Sequence, residues 1–269
     1  MERSYAVSRP VHVDVRLPAG QLDVDLLPSG TSARVLLEPM AVSGKQLERA
    51  QAAIDETTIA LEGGRLRVHV PDMRHSAEIH MTIAVPDLSG LEAKTASADV
   101  TVTGGALSDL DVKSASGDVQ SAEVAGRACF ATTSGDLSCA TVGGDVQVAT
   151  ASGDVRLGTV HGYLRWKTAS GDLRVDSLGP SSGGAELRSA SGDVAIGNAS
   201  SGEVSASTVS GDVRLGVAPG VGAWLDIATL SGDTRCDLPH EPEGRNAASL
   251  VIVCRTVSGD VAIRQAVSA

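Results

Sequence analysis

The chain alternates apolar and polar residues at strand period, then changes phase abruptly. Val146 and Val148 are apolar at even positions, whereas Val155 and Leu157 are apolar at odd positions. Side chains of a continuous strand alternate strictly between two faces, so one strand cannot carry both sets. The phase changes across Ser152-Gly153-Asp154, which predicts a corner or bulge where one strand ends and the next begins. Glycine is expected there for its φ freedom, and Ser and Asp for bonding nearby backbone N–H groups.

The corner recurs as [T/S]-x-S-G-D-[V/L]. Its aspartates are Asp99, Asp118, Asp136, Asp154, Asp172, Asp193, Asp212, Asp233 and Asp260, spaced by 19, 18, 18, 18, 21, 19, 21 and 27 residues. The first copy has Ala98 in place of glycine, and the eighth has Thr234 in place of Val or Leu. The surrounding residues repeat too: Val124, Val142 and Val160 align, as do Phe130, Val148 and Trp166. A unit of about 20 residues holding two short strands cannot bury its own apolar face, but stacked units can. The predicted fold is therefore all-β: a single-stranded parallel β-solenoid (β-helix) of about nine coils, with right-handed winding expected. A propeller, with two units per blade, is the competing architecture.

Residues 1–90 lack the motif and are read as an N-terminal β-rich cap; residues 91–269 are read as solenoid repeats. Strands are expected at 11–17, 22–27, 33–38 and 78–85, with a hairpin over 57–70 turning at Glu62-Gly63-Gly64. "GKQLERAQAAIDE" (44–56) predicts one short helix with Leu47, Ala50 and Ile54 on one face. The stretch 237–249 reads as a loop inserted between the last two coils.

Stacking turns equivalent positions into columns. The Asp set forms one, and Arg156, Arg174, Arg214 and Arg235, each two residues after an Asp, form another beside it, with Arg264, four after Asp260, belonging only loosely. The candidate binding strip is this exposed column: Asp118, Asp136, Asp154, Asp172, Asp193, Asp212, Arg156, Arg174 and Arg214. Like charges in file repel, and the arginines and corner N–H groups are expected to offset this. The column is compatible with two further uses. Carboxylates about 5 Å apart match the retaining-glycosidase separation, so a polysaccharide-active enzyme is one alternative. Divalent-cation binding is another. The simpler expectation is that each Asp caps its own corner. A Thr/Ser column for ice binding is discounted, since parity turns Thr150 inward. "HSAEIH" (His75, Glu78, His80), near His69, lacks evident three-ligand closure, so no metal is assigned. Trp166 is expected in the core and Trp224 on the surface.

Composition narrows the functional classes. A net charge of −11 with no basic stripe evident in the sequence argues against nucleic acid and against an anionic membrane surface. Only 2% of residues are aromatic, which leaves few platforms for sugar stacking. No signal-peptide core opens the chain, and "SLVIVC" (249–254) is far too short to span a bilayer, so no membrane insertion and a cytoplasmic location are expected. Four cysteines show no C-x-x-C spacing, and three fall at apolar positions of the repeat, as small buried hydrophobes. No nucleophile elbow, phosphate loop or dinucleotide fingerprint is present, and "GVAPGVG" (216–222) is not followed by a helix signal. No catalytic residue and no cofactor are assigned.

The strand–turn–strand opening "VHVDVRLPAGQLDVDLL", the segment "MTIAVPDLSGLEAKTASADV" and the tandem SGDV units together resemble a bacterial "putative adhesin" family of unknown function with β-strand repeats. The resemblance covers nearly the whole chain. It implies the same solenoid fold and supplies no catalytic residues. The expected role is a non-enzymatic structural or interaction protein, acting through a protein partner or self-association; a small-molecule ligand is disfavoured.

Overall fold

The computed structural model describes residues 1–28, 30–72, 77–238 and 248–266. It divides into two compact units, Met1–Asp136 and Leu137–Ala269. The fold is an all-β parallel solenoid.

The first unit contains β1 (Glu2–Ala6), β2 (His12–Leu17), β3 (Gly20–Leu27), β4 (Ser32–Pro39), helix α1 (Gly44–Asp55), β5 (Thr58–Glu62), β6 (Arg65–His69), β7 (Ile79–Pro86), β8 (Gly90–Thr95), β9 (Asp99–Leu107), β10 (Leu110–Lys113), β11 (Val119–Val124) and β12 (Ala128–Ala131). One sheet runs β1-β4-β7-β3-β9-β11 and the other β5-β6-β2-β8-β10-β12. Among the described residues of this unit, only the pairs β1–β4, β4–β7 and β5–β6 are antiparallel. Each rung is a strand of one sheet, a corner, and a strand of the other. β2 and β3 form a rung turned at Pro18-Ala19, and β6 and β7 form the rung outside it. The hairpin β5–β6 turns at Gly63 and Gly64, whose φ values of 59° and 84° are those of the tight turn that two such glycines favour. Helix α1 buries Ala50, Ala53 and Ile54 and packs against β4.

The second unit contains β13 (Leu137–Val142), β14 (Val146–Ala149), β15 (Val155–Val160), β16 (Leu164–Lys167), β17 (Leu173–Leu178), β18 (Gly184–Arg188), β19 (Val194–Ala199), β20 (Gly202–Ser207), β21 (Val213–Val217), β22 (Ala223–Ser231), β23 (Thr234–Asp237), β24 (Leu250–Ser258) and β25 (Val261–Gln265). Its sheets run β13-β15-β17-β19-β21-β25-β23 and β14-β16-β18-β20-β24-β22. Register runs unbroken from β13 to β19, Val155 pairing with Leu173 and Leu173 with Val194, and shifts by one residue between β19 and β21 after Ile196. The burial pattern within strands such as β14 and β16 alternates in and out, so the two sheets pack Val, Leu, Ile and Ala against each other. Trp166 sits fully buried between its register partners Val148 and Leu187.

The order of the last rungs departs from chain order. β24 and β25 lie between the β20/β21 rung and the β22/β23 rung. The chain skips one position, lays down residues 223–237, and returns to fill the gap with residues 250–265. Composition explains the choice. β24/β25 carries Leu250, Ile252, Cys254, Val261 and Ile263, all buried, and occupies the position covered on both sides. β22 keeps Ala223, Leu225 and Ile227 at the inward parity, but β23 carries Thr234 and Cys236 there, opposite Val261 and Ile263, and this less apolar rung takes the end. The expected loop at 237–249 falls mostly on residues 239–247, outside the described residues.

Candidate functional site

The corner is built by three contacts, one per motif residue. In four rungs the Ser/Thr hydroxyl accepts the N–H of the glycine three residues on: Gly117 to Ser114 at 2.7 Å, Gly135 to Thr132 at 3.0 Å, Gly153 to Thr150 at 2.8 Å and Gly171 to Thr168 at 3.1 Å. The Asp carboxylate reaches across to the neighbouring rung rather than capping its own corner. In the first unit Asp99 accepts the N–H of Asp118, and Asp118 that of Asp136, both at 2.9 Å. In the second, Asp154 accepts from Asp172 at 3.0 Å, Asp172 from Asp193 at 2.9 Å and Asp193 from Asp212 at 2.8 Å. The file ends with Asp212 accepting from Asp260 at 3.0 Å and Asp260 from Asp233 at 2.8 Å. This corrects the expectation that each Asp serves its own turn. It also explains how like charges tolerate stacking, since a backbone donor stands between successive carboxylates.

The glycine is required for a different reason than φ freedom. Gly117, Gly135, Gly171, Gly192, Gly211 and Gly259 do not have the positive φ that would demand glycine. A Cβ built on Gly171 would lie 2.2 Å from the Gly153 carbonyl oxygen, and one on Gly192 2.0 Å from that of Gly171. The corners pack backbone on backbone, leaving no room for a methyl group. Ala98 fits because the rung before it turns at Pro18-Ala19 and has no SGD corner.

Beside the corner, Asp154, Asp172, Asp193, Arg156, Arg174 and Arg214 line a shallow cavity of about 210 Å³ in the second unit. Arg214 contacts Asp212 at 2.6 Å and Asp193 at 3.4 Å, and Arg156 contacts Asp154 at 3.6 Å. Arg174 makes no ion pair within 4 Å among the described residues. These pairs are solvent-exposed, worth under about 1 kcal/mol each. Asp118 and Asp136 belong to the first unit and lie outside that cavity. In the column, one carboxylate oxygen each of Asp99, Asp118, Asp154, Asp172, Asp193, Asp212 and Asp260 is held by a backbone N–H, so the column acts as stacking hardware. Among the described residues no group of three His, Cys, Asp or Glu side chains is arranged to hold a metal ion. His80 bonds Asp23 at 2.7 Å and His69 bonds Asp14 at 3.0 Å, while His75 lies outside the described residues.

Cys139 and Cys254 are buried, Cys129 is half-buried and Cys236 is exposed; all four are free thiols. Cys129 points outward between the inward residues Ala128 and Phe130. Cys236 has inward parity, but its rung is the last one. Burial pushes the Cys254 thiol up to about 12, which makes it a packing residue and a poor nucleophile. Trp224 is half-buried rather than surface-exposed.

Sequence reading missed the second residue of the motif, T-x-S. In most rungs x is small, as in Ala151, Ala169 and Ala190, but in the last three rungs it is Val209, Val257 and Leu230. These are 55%, 46% and 84% exposed. They occupy equivalent positions on adjacent rungs, because Thr229 pairs with Thr256 and Thr208 donates its N–H to Arg255. The result is an outward apolar ladder running to the terminal rung. The signal was the residue type at x, which corner geometry turns to solvent.

Two parallel sheets joined by regularly stacked corners define a β-solenoid repeat protein. The chain belongs to the Toastrack family, DUF4097, whose profile matches residues 8–264. Among solved structures it is similar to a "putative adhesin" from Bacteroides fragilis, at 16% identity and a TM-score of 0.47, covering 98% of this chain and 96% of that one. A "putative adhesin" from Parabacteroides merdae matches at 10% identity and a TM-score of 0.47, covering 98% and 95%. A "putative lipid binding protein" from Parabacteroides distasonis matches at 11% identity and a TM-score of 0.43, covering 98% and 96%. No curated protein matches the chain.

Proposed function

We propose that this chain is a non-enzymatic structural or interaction protein, adhesin-like in acting through repetitive solenoid surfaces, and that it docks a protein partner or a second copy at its last three rungs. The observation that carries this is the ladder Val209–Val257–Leu230. Large exposed aliphatic side chains are common singly, but three in register on adjacent rungs form a contiguous patch of the kind used for contact. The ladder ends at a rung whose strands β22 and β23 each pair on one side only among the described residues. Such an edge offers unpaired backbone groups to an incoming strand. The corner carboxylates are engaged in stacking, which weighs against the glycosidase and cation readings. A reducing, cytoplasmic location is part of the proposal, supported by the four free cysteines. Among the described residues no helix is long and apolar enough to cross a membrane.

The test is light scattering over a concentration series, with affinity capture alongside it. The wild-type chain is expected to self-associate or to retain a defined protein, and Leu230→Asp is expected to abolish that behaviour without changing the far-UV circular dichroism. A wild-type chain that stays monomeric and retains no protein in a Leu230-dependent manner contradicts the proposal.

A further inference from the structure

We propose that the outer face of the first unit carries a binding site for a tetrahedral oxyanion, of phosphate or sulfate type, centred on Arg16. The site is independent of the apolar ladder and goes beyond the docking role. Three features converge on it.

The first is a row of basic side chains that the sheet assembles from distant parts of the chain. Arg16 on β2 pairs in register with His69 on β6 and with Lys94 on β8, and Lys94 pairs with Lys113 on β10. Strands in a sheet lie about 4.8 Å apart, so these four side chains stand side by side. Like charges directly opposite one another cost stability. A net charge of −11 gives the chain ample acids to neutralise such a row.

The second is that neutralisation stops short of the centre. Asp14 and Glu92 occupy the adjacent row on the same face. Asp14 bonds His69 at 3.0 Å and contacts Arg65 at 3.3 Å and Arg67 at 3.9 Å, while Glu92 holds Lys94 at 3.0 Å. Burial raises the Asp14 pKa, but the His69 hydrogen bond and charge, with Arg65, outweigh it and hold the carboxyl below its usual range. Both acids are thus committed as anions to the flanking residues. Among the described residues, Arg16 and Lys113 have no carboxylate within 4 Å.

The third is a cavity at this spot. Where β2, β6 and β8 end together, a groove of about 510 Å³ opens. Arg16, His69 and Lys94 line it, with the hydroxyl residues Thr58 and Thr95. Glu56 and Asp72 also line it, and their charge favours a compact ligand of one or two negative charges over a polyanion. A guanidinium fork meets two oxygens of a tetrahedral anion, and the flanking ammonium and imidazole groups can meet a third.

The test follows thermal unfolding of the full chain as sodium phosphate or sodium sulfate replaces sodium chloride at constant ionic strength. Glycerol 3-phosphate is run in parallel. A saturable rise in melting temperature is expected for the wild type. Arg16→Gln is expected to weaken apparent affinity about ten-fold or more, the size of one charge-assisted hydrogen bond. Arg165→Gln, on the second unit, is expected to leave it unchanged. Saturation by glycerol 3-phosphate as well as phosphate would support a site for a phosphate carried on a larger molecule; saturation by the inorganic ions alone would support a free-ion site. No saturable shift, or the same shift in Arg16→Gln as in the wild type, overturns the proposal.

Discussion

Trp166→Ala is expected to lower the free energy of unfolding by about 4 kcal/mol, the middle of the range for emptying an aromatic core position. Trp166 is fully buried in the interior column of the second unit, between Val148 and Leu187. Register prevents those neighbours from collapsing into the space, because ladder bonds fix Val148 to the Trp166 strand and Leu187 to that strand and to β20. The indole N–H has no partner among the described residues. Trp166→Phe removes that orphan donor while keeping most of the ring, so it is expected to cost far less, about 1 kcal/mol. Urea unfolding monitored by circular dichroism measures both variants. Equal losses for Ala and Phe would show that packing volume is not what the residue supplies.

Gly192→Ala is expected to cost about 3 kcal/mol, the top of the usual range for overpacking. The new Cβ would lie 2.0 Å from the Gly171 carbonyl oxygen. That atom is backbone and cannot rotate away, so the rungs must part at the corner. Parting them also stretches the bond from the Asp193 N–H to Asp172. The same urea titration applies. Unchanged stability would mean that the corners are not in backbone contact, and the explanation offered for the recurring glycine would fall.

Much of the fold is legible in the sequence because the solenoid repeats its solutions. The phase change around Ser152-Gly153-Asp154 marks a corner, and the nine-fold recurrence of that corner implies stacking. The helix at 44–55 and the turn at Gly63-Gly64 follow from local pattern alone. What the letters hid lies between rungs. Gly192 reads as a turn glycine until the neighbouring carbonyl is in view. Asp172 reads as a local cap, since nothing in one repeat shows that the next repeat presents an N–H to it. The reversed order of the last two rungs is hidden for a related reason. "TLSGDT" and "TVSGDV" are interchangeable in register, and only the 27-residue spacing from Asp233 to Asp260 hints at a detour.

The candidate sites divide the same way. Val209, Val257 and Leu230 are visible as the x of T-x-S, but their meaning needs the knowledge that x faces solvent. Lys94 and Lys113 precede the motif in its first two copies, so a column could be inferred for them. Arg16 and His69 lie outside the repeat, and only the β6-β2-β8 register brings them beside Lys94.

Proton–proton contacts at the corners, read by nuclear Overhauser spectroscopy on isotope-labelled protein, probe the stacking most directly. Backbone cross-peaks should link Asp172 to Asp193, Asp193 to Asp212, Asp212 to Asp260 and Asp260 to Asp233, with none from Asp212 to Asp233. Cross-peaks joining Asp212 to Asp233 directly, or corners that show no contact with one another, would contradict it.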